Sequence, residues 1–238
     1  MRKQTLKRRT FLKTSTLAGA GFAIGFTFDP FVSLATGSGP SVSRTKGEKL
    51  GLWVRIASDG TITLIAPSSE MGQGVNTSLS MIIAEELEAD WQSIKTETAP
   101  AHSDYKNPNN PLQFTGGSSS LRGFWEPLRE VGAAAREMLK TAAAQKWDVP
   151  VNECEAKSGK ILHKKSGCEI GYGELAEAAG KLDVPSDPVL KSPEDYELIG
   201  KPVTRLDLPA KVTGSAQFGI DVRIPGMLFA TVRQSPVF

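Results

Sequence analysis

The chain has 238 residues, of which 39% are hydrophobic and 23% are charged, with a formal net charge of +2. This length suits one large domain or two small ones, and the composition is that of an ordinary globular protein, which excludes a polytopic membrane protein and a collagen-like chain. Six basic residues lie in the first thirteen positions, so the sequence from residue 36 onward holds 22 basic and 25 acidic residues and lacks the basic footprint of a nucleic-acid-binding protein.

The N-terminus has the pattern of a twin-arginine export signal. Arg8 and Arg9 are followed by Thr10-Phe11-Leu12-Lys13 and then by an uncharged, weakly apolar run from Leu17 to Phe28. The run is shorter than the ~20 residues that span a bilayer. We predict a signal peptide over residues 1–35, recognised by the twin-arginine translocase, and a periplasmic protein, free or peripheral to the cytoplasmic membrane. A basic amphipathic helix packed on the domain is the alternative.

The first predicted elements follow a Ser-, Gly- and Lys-rich linker over residues 36–49. Alternating patterns around Ser58-Asp59-Gly60 predict a β-hairpin from residues 52–56 and 61–65. Helical spacing of Leu and Ile predicts an amphipathic helix over 76–89, and a strand follows at 94–98. A long loop covers 101–114. The long helix after it contains Pro127, which either kinks the helix or lies in its first turn.

The second half of the chain is predicted to contain a hairpin over 153–164, a short helix over 172–179 and a Pro-rich connection. Short strands are expected from Lys211, and Phe238 falls within one of them. In the hairpin, Cys154 lies nearest His163 and not Cys168, which favours two unpaired thiols over a disulfide. The chain has only two histidines, and no His/Cys zinc spacing is found.

Two loops of small residues lead into the two long predicted helices. The first loop (residues 67–77) contains Gly72-Gln73-Gly74, and the second loop (residues 115–122) contains Gly116-Gly117-Ser118-Ser119-Ser120 and ends at Arg122. Free N–H groups and the positive end of the dipole make a helix N-terminus an anion site, so two such loops suit a ligand with two phosphates. Thr77 is expected to cap its helix or to contact a phosphate, and Arg122 to bind a phosphate through two hydrogen bonds.

Two other interpretations of these loops stay open on local spacing alone. One is ordinary turn chemistry, with Ser and Asn side chains capping helices. The other is a nicotinamide-binding Rossmann unit, in which Gly72-x-Gly74 opens a helix and Glu97 binds a ribose. Thr77 replaces the third glycine of that fingerprint and no second βα unit follows, which counts against it.

Three segments resemble the molybdopterin-binding subunit of the xanthine dehydrogenase/aldehyde oxidase family, in its isoquinoline 1-oxidoreductase beta-subunit and membrane-bound aldehyde dehydrogenase branch. They are Glu70–Thr77, Ala84–Trp91 and Gly116–Gly123 with Trp125–Arg129. The resemblance implies an α+β fold, with a partial molybdopterin-binding domain over residues 50–200 and the incomplete start of an α/β hammerhead domain over residues 201–238. The chain is thus expected to be the N-terminal part of a large subunit.

The resemblance also implies a cofactor, molybdopterin with Mo, commonly in the cytosine dinucleotide form. Its contacts would come from Gly72, Gln73, Gly74, Val75 and Thr77 in the first loop, and its phosphates would be held by Ser118, Ser119 and Arg122. The implied reaction is hydroxylation of an aldehyde or N-heterocycle with water as the oxygen source. Electrons would pass to a small [2Fe-2S] subunit, with a cytochrome c subunit as a further partner.

The family's mechanism uses a glutamate near the C-terminus as general base, and that motif is expected beyond Phe238. No catalytic residue and no metal ligand is therefore assigned in this chain. Glu85 and Glu86 are expected on a solvated helix face or as caps, and not as the base. The alternative function is a non-catalytic, truncated exported module that acts only with a partner chain.

Overall fold

A four-stranded mixed sheet lies at the start of the fold. The computed structural model describes residues 21–26 and 51–237. Its first sheet has the order β1-β2-β3-β4, in which β1 and β2 and then β2 and β3 are antiparallel, while β3 and β4 are parallel. The strands are β1 (Gly21–Phe26), β2 (Gly51–Ala57), β3 (Ile62–Ala66) and β4 (Ile94–Thr98). The predicted hairpin is confirmed, with Val54 opposite Leu64 and Ile56 opposite Ile62.

The strand β1 lies within the predicted signal peptide, whose other residues are outside the described part of the chain, as is the predicted linker. Cleavage after residue 35 would remove β1 and leave β2 at the edge of a three-stranded sheet. No helix within residues 21–26 and 51–237 has both the length and the apolar character needed to cross a membrane.

Two long helices pack against each other and supply nearly half of the core residues. Helix α1 (Val75–Leu87) is the crossover between β3 and β4, and α2 (Ser120–Trp147) follows the long loop. A β-carbon at Gly132 of α2 would lie 2.5 Å from the carbonyl oxygen of Ile83, so glycine allows the close approach of the two helices. Pro127 is the eighth residue of α2, which excludes the first-turn alternative.

A three-stranded antiparallel sheet covers the C-terminal end of α2. Its strands are β5 (Cys154–Lys157), β6 (Lys160–His163) and β7 (Cys168–Gly171), followed by α3 (Tyr172–Ala179). His163 pairs with Cys154 on one side, as predicted, and with Cys168 on the other. Both thiols are free, and only that of Cys154 is buried.

Two buried carboxylates of α1 hold an irregular segment, the strap (residues 189–206), against the helices. Glu85 accepts hydrogen bonds from Lys191 Nζ at 2.5 Å and from the backbone N–H groups of residues 197–199 at 2.6–3.1 Å. Glu86 accepts from Arg129 Nε at 2.8 Å and from the Lys191 N–H at 2.9 Å. The expectation of a solvated face is wrong, because Glu85 and Glu86 are 2% and 0% exposed. Glu85 does cap backbone N–H groups, as the alternative expectation had it, and these N–H groups belong to the strap.

Residues 207–238 form a separate unit, which begins after Leu206. Within residues 207–237 the regular structure consists of α4 (Leu208–Val212) and a 3-10 turn at Gly219–Asp221. The predicted short strands are absent from these residues. A strand needs a hydrogen-bonded neighbour, and no segment of residues 207–237 pairs with another. Apolar side chains such as Leu228 and Val232 are 92% exposed within this unit.

Candidate functional site

The two predicted loops lie side by side. The Ser68 hydroxyl, which belongs to a residue only 1% exposed, donates a hydrogen bond to Ser120 Oγ at 3.0 Å. The backbone N–H of Ser69 donates to Thr115 Oγ1 at 2.9 Å. The fold thus brings together two helix N-terminal loops that are about 45 residues apart in sequence, at one end of the α1–α2 pair.

The backbone of the first loop depends on its glycines. Gly72 has φ 101° and Gly74 has φ 84°, which are left-handed values that a side chain disfavours. Gln73 lies between them with an exposed side chain. Its Oε1 accepts from the Met71 N–H at 2.5 Å, and its Nε2 donates to the Ser69 carbonyl at 3.0 Å. The side-chain amide of Gln73 thus closes the loop on itself.

The N-terminus of α1 is capped by a carboxylate of the chain itself. Glu70 Oε1 accepts hydrogen bonds from the N–H groups of Gly72 at 2.8 Å and Gly74 at 2.9 Å, and Oε2 accepts from Asn76 N–H at 3.2 Å. This differs from the prediction of a phosphate on these groups, because Glu70 already supplies the negative charge that a helix N-terminus favours. Sequence reasoning missed this residue, since its role depends on how the loop folds back.

Two further predicted residues of the first loop lie beneath its surface. Val75 is 5% exposed and belongs to the hydrophobic core. Thr77 is 6% exposed, and its hydroxyl oxygen accepts the backbone N–H of Leu206 at 3.1 Å. The residue that precedes α1 is Gly74, which has no side chain to cap the helix. Thr77 therefore anchors the end of the strap. The prediction that it caps α1 is wrong.

The second loop turns through Gly117 at φ 59° and Ser118 at φ 52°. The hydroxyl of Ser119 donates to the Gly116 carbonyl at 2.8 Å. Arg122 folds back on the loop, with Nε donating to the Ser118 carbonyl and Nη2 to the Gly117 carbonyl, each at 3.0 Å. Ser119 gives α2 no side-chain cap. The N–H groups of the first turn of α2, beside an exposed guanidinium, thus have the character of an anion site.

A buried asparagine supports the second loop from behind. Asn107 is 0% exposed; its Nδ2 donates to the Ser119 carbonyl at 3.0 Å and its Oδ1 accepts from Asn109 N–H at 2.9 Å. Gly123 leaves the space that this side chain needs. The sequence around Asn107 indicates only a loop, so nothing in the pattern distinguishes this residue from neighbouring asparagines.

These residues fit a polar, phosphate-bearing organic cofactor. Arg122 and the first turn of α2 offer donors, and Asn76 has a buried side-chain oxygen with no hydrogen-bond partner in the described part of the chain. That oxygen belongs to the second residue of α1. The described residues contain no group of three or more His, Cys, Asp or Glu that could hold a metal ion directly.

Comparison with known families excludes one of the open interpretations. A family model described as a molybdopterin cofactor-binding domain matches residues 7–210. The chain belongs to this family. The Rossmann interpretation of Gly72-x-Gly74 is therefore wrong, and the α+β molybdopterin-binding fold expected from the resemblance is confirmed.

Named relatives agree with the family assignment. The chain is 35% identical to the beta-subunit of isoquinoline 1-oxidoreductase of Brevundimonas diminuta, over 86% of this chain and 32% of that protein. It is 31% identical to the membrane-bound aldehyde dehydrogenase [pyrroloquinoline-quinone] of Gluconacetobacter polyoxogenes, over 98% and 30%. It is 30% identical to a nicotinate dehydrogenase subunit of Pseudomonas putida, over 87% and 17%. The chain therefore spans at most about a third of the length of these relatives.

Proposed function

We propose that this chain is the molybdopterin-binding part of the large subunit of an exported molybdenum-dependent oxidoreductase. The enzyme would oxidise an aldehyde or an N-heterocycle with water as the oxygen source. The observation that carries the proposal is the junction of the two loops through the Ser68–Ser120 and Ser69–Thr115 hydrogen bonds, since it creates one surface that a dinucleotide can span. The family assignment and the names of the relatives support the reaction class.

The two loops would bind different parts of the cofactor. In the second loop Ser118, Ser119, Arg122 and the N–H groups of α2 would bind phosphate oxygens. In the first loop Gly72, Gln73 and Gly74 would contact the rest of the dinucleotide, while the buried Val75 and Thr77 hold the first turn of α1 in position. When bound, the cofactor would supply the molybdenum that performs the oxygen and electron transfer. The chain's own residues bind it and orient it.

The partners and the location follow from the same proposal. Two relatives are named as single subunits of their enzymes, which supports a separate electron-accepting partner. We propose a small [2Fe-2S] subunit, with a cytochrome c subunit as the next acceptor. The twin-arginine pattern at Arg8 and Arg9 supports export to the periplasm. Replacing both arginines by lysine should then keep the protein in the cytoplasm, and the mature protein should begin at residue 36.

The test is the cofactor content of the full polypeptide purified from its own cells. We expect one molybdenum per chain and release of CMP on acid hydrolysis. Arg122→Gln should lower both several-fold, because a charged donor to phosphate is lost. The matched control is Arg55→Gln, which removes an exposed arginine that pairs with Glu97 and belongs to neither loop. Absence of molybdenum, or extraction of pyrroloquinoline quinone in its place, would refute the proposal. Release of another nucleotide would correct the dinucleotide form alone.

A further inference from the structure

The first loop is held by an ion pair whose two members are 135 residues apart. Arg205, near the end of the strap, donates from Nη1 to the Gly72 carbonyl at 3.0 Å and from Nη2 to Glu70 Oε1 at 3.4 Å. Glu70 in turn accepts three backbone N–H groups of the loop and the first turn of α1. The two side chains thus bind different backbone groups of the loop. The carboxylate accepts hydrogen bonds from its N–H groups, and the guanidinium donates one to a carbonyl.

Burial and neighbouring contacts hold both side chains in place. The side chain of Glu70 is 13% exposed and that of Arg205 is 37% exposed, so solvent screens the pair only in part. The adjacent Leu206 is bonded to Thr77, and the strap is fixed further back by Lys191 on Glu85. Arg205 is therefore presented to the loop by a segment with two anchors in α1.

The geometry points to Glu70 and Arg205 as a positioning pair, the loop clamp, that sets the backbone of Gly72-Gln73-Gly74 for the cofactor. The inference rests on the proposed function for what the loop binds, but the shaping of the loop is a property of the chain alone. It also follows that the N–H groups of Gly72, Gly74 and Asn76 are not phosphate ligands. A phosphate there would compete for the same donors and would meet the Glu70 carboxylate as a like charge.

Glu70→Gln tests the clamp with the smallest change of shape. The amide is neutral and presents an NH₂ group where one carboxylate oxygen accepted hydrogen bonds. Amide hydrogen exchange in peptides covering residues 69–78 should become about tenfold faster, since charge-assisted bonds to the loop are lost. Peptides from the second loop should be unchanged. Molybdenum and nucleotide per folded chain should fall at least fivefold, while the thermal midpoint shifts little.

Four further variants separate a clamp from a merely structural residue. Glu97→Gln is the control, because it makes the same chemical change in an exposed ion pair between Arg55 on β2 and Glu97 on β4. Arg205→Gln should reproduce the loss of cofactor. The double variant Glu70→Gln/Arg205→Gln should be no worse than either single variant, because two members of one unit do not act additively. Arg205→Lys should restore cofactor only in part, since a point charge cannot reach both Gly72 and Glu70.

Three results would overturn the inference. Unchanged exchange in Glu70→Gln would show that the carboxylate does not shape the loop. Faster exchange with normal cofactor content would show that the shape is not needed. Higher cofactor content would show that Glu70 competes with a phosphate for α1. A wild-type protein without molybdenum would refute the proposed function, but the exchange measurement would still decide whether the clamp shapes the loop.

Discussion

A methyl group added at Gly123 should damage the second loop more than its size suggests. A β-carbon there would lie 2.2 Å from Oδ1, 2.6 Å from Nδ2 and 2.7 Å from Cγ of Asn107. That side chain is fully buried and holds the carbonyl of Ser119 and the N–H of Asn109. It cannot move by the required distance and keep both hydrogen bonds.

Three contributions set the effect of Gly123→Ala on the free energy of unfolding, one stabilising and two destabilising. Alanine in a helix gains up to about 1 kcal/mol over glycine. Overpacking costs about 1–3 kcal/mol, and each buried polar group left without a partner costs about 1–3 kcal/mol. We expect the free energy of unfolding to fall by about 2–4 kcal/mol overall. Urea unfolding followed by tryptophan fluorescence measures it, and cofactor content should fall with it because the Ser119 carbonyl loses its support.

Two controls make this prediction refutable. At Gly171 the nearest heavy atom to an added β-carbon is Glu174 Oε1 at 3.7 Å, so Gly171→Ala should change stability by less than about 0.5 kcal/mol. In an Asn107→Ala background the methyl group at Gly123 has room, and its cost should drop below about 1 kcal/mol. An equal cost of Gly123→Ala in both backgrounds would refute the reasoning.

Three other predictions concern the strap and the thiols. Burial raises the pKa of Glu85, but hydrogen bonds from Lys191 and the strap outweigh it and hold the pKa below its ordinary 4.5. Stability should therefore be lost as pH falls below 4.5, and pH titration of Glu85→Gln should show a smaller loss in that range. Thr77→Val should lower the free energy of unfolding by about 1 kcal/mol, measured in urea, because Leu206 N–H loses its acceptor. Burial raises the pKa of the Cys154 thiol, so a thiol reagent should modify Cys168 in the folded protein and Cys154 only on unfolding.

Local patterns predicted most of the helices and strands that the structure describes before residue 207. The hairpin at Asp59-Gly60, the helix at 172–179 and the pairing of Cys154 with His163 depend on turn residues and periodicity within short windows, and the structure confirms each. The same reasoning failed from Lys211 onward. Alternating apolar residues indicate a strand only when a second strand is present to pair with them, and residues 207–237 contain none.

The sequence by itself also located the two loops, because glycine and serine before a helical period indicate a flexible, anion-tolerant backbone. Only the tertiary structure decided which side chains hold the two loops. Glu70 caps α1, Arg205 reaches the first loop from the strap, and Asn107 supports the second loop from within the core. These contacts join residues from 4 to 133 positions apart. Whether a carboxylate faces solvent, a ligand or its own backbone depends on how the chain folds back. The spacing of residues along the sequence does not determine that path.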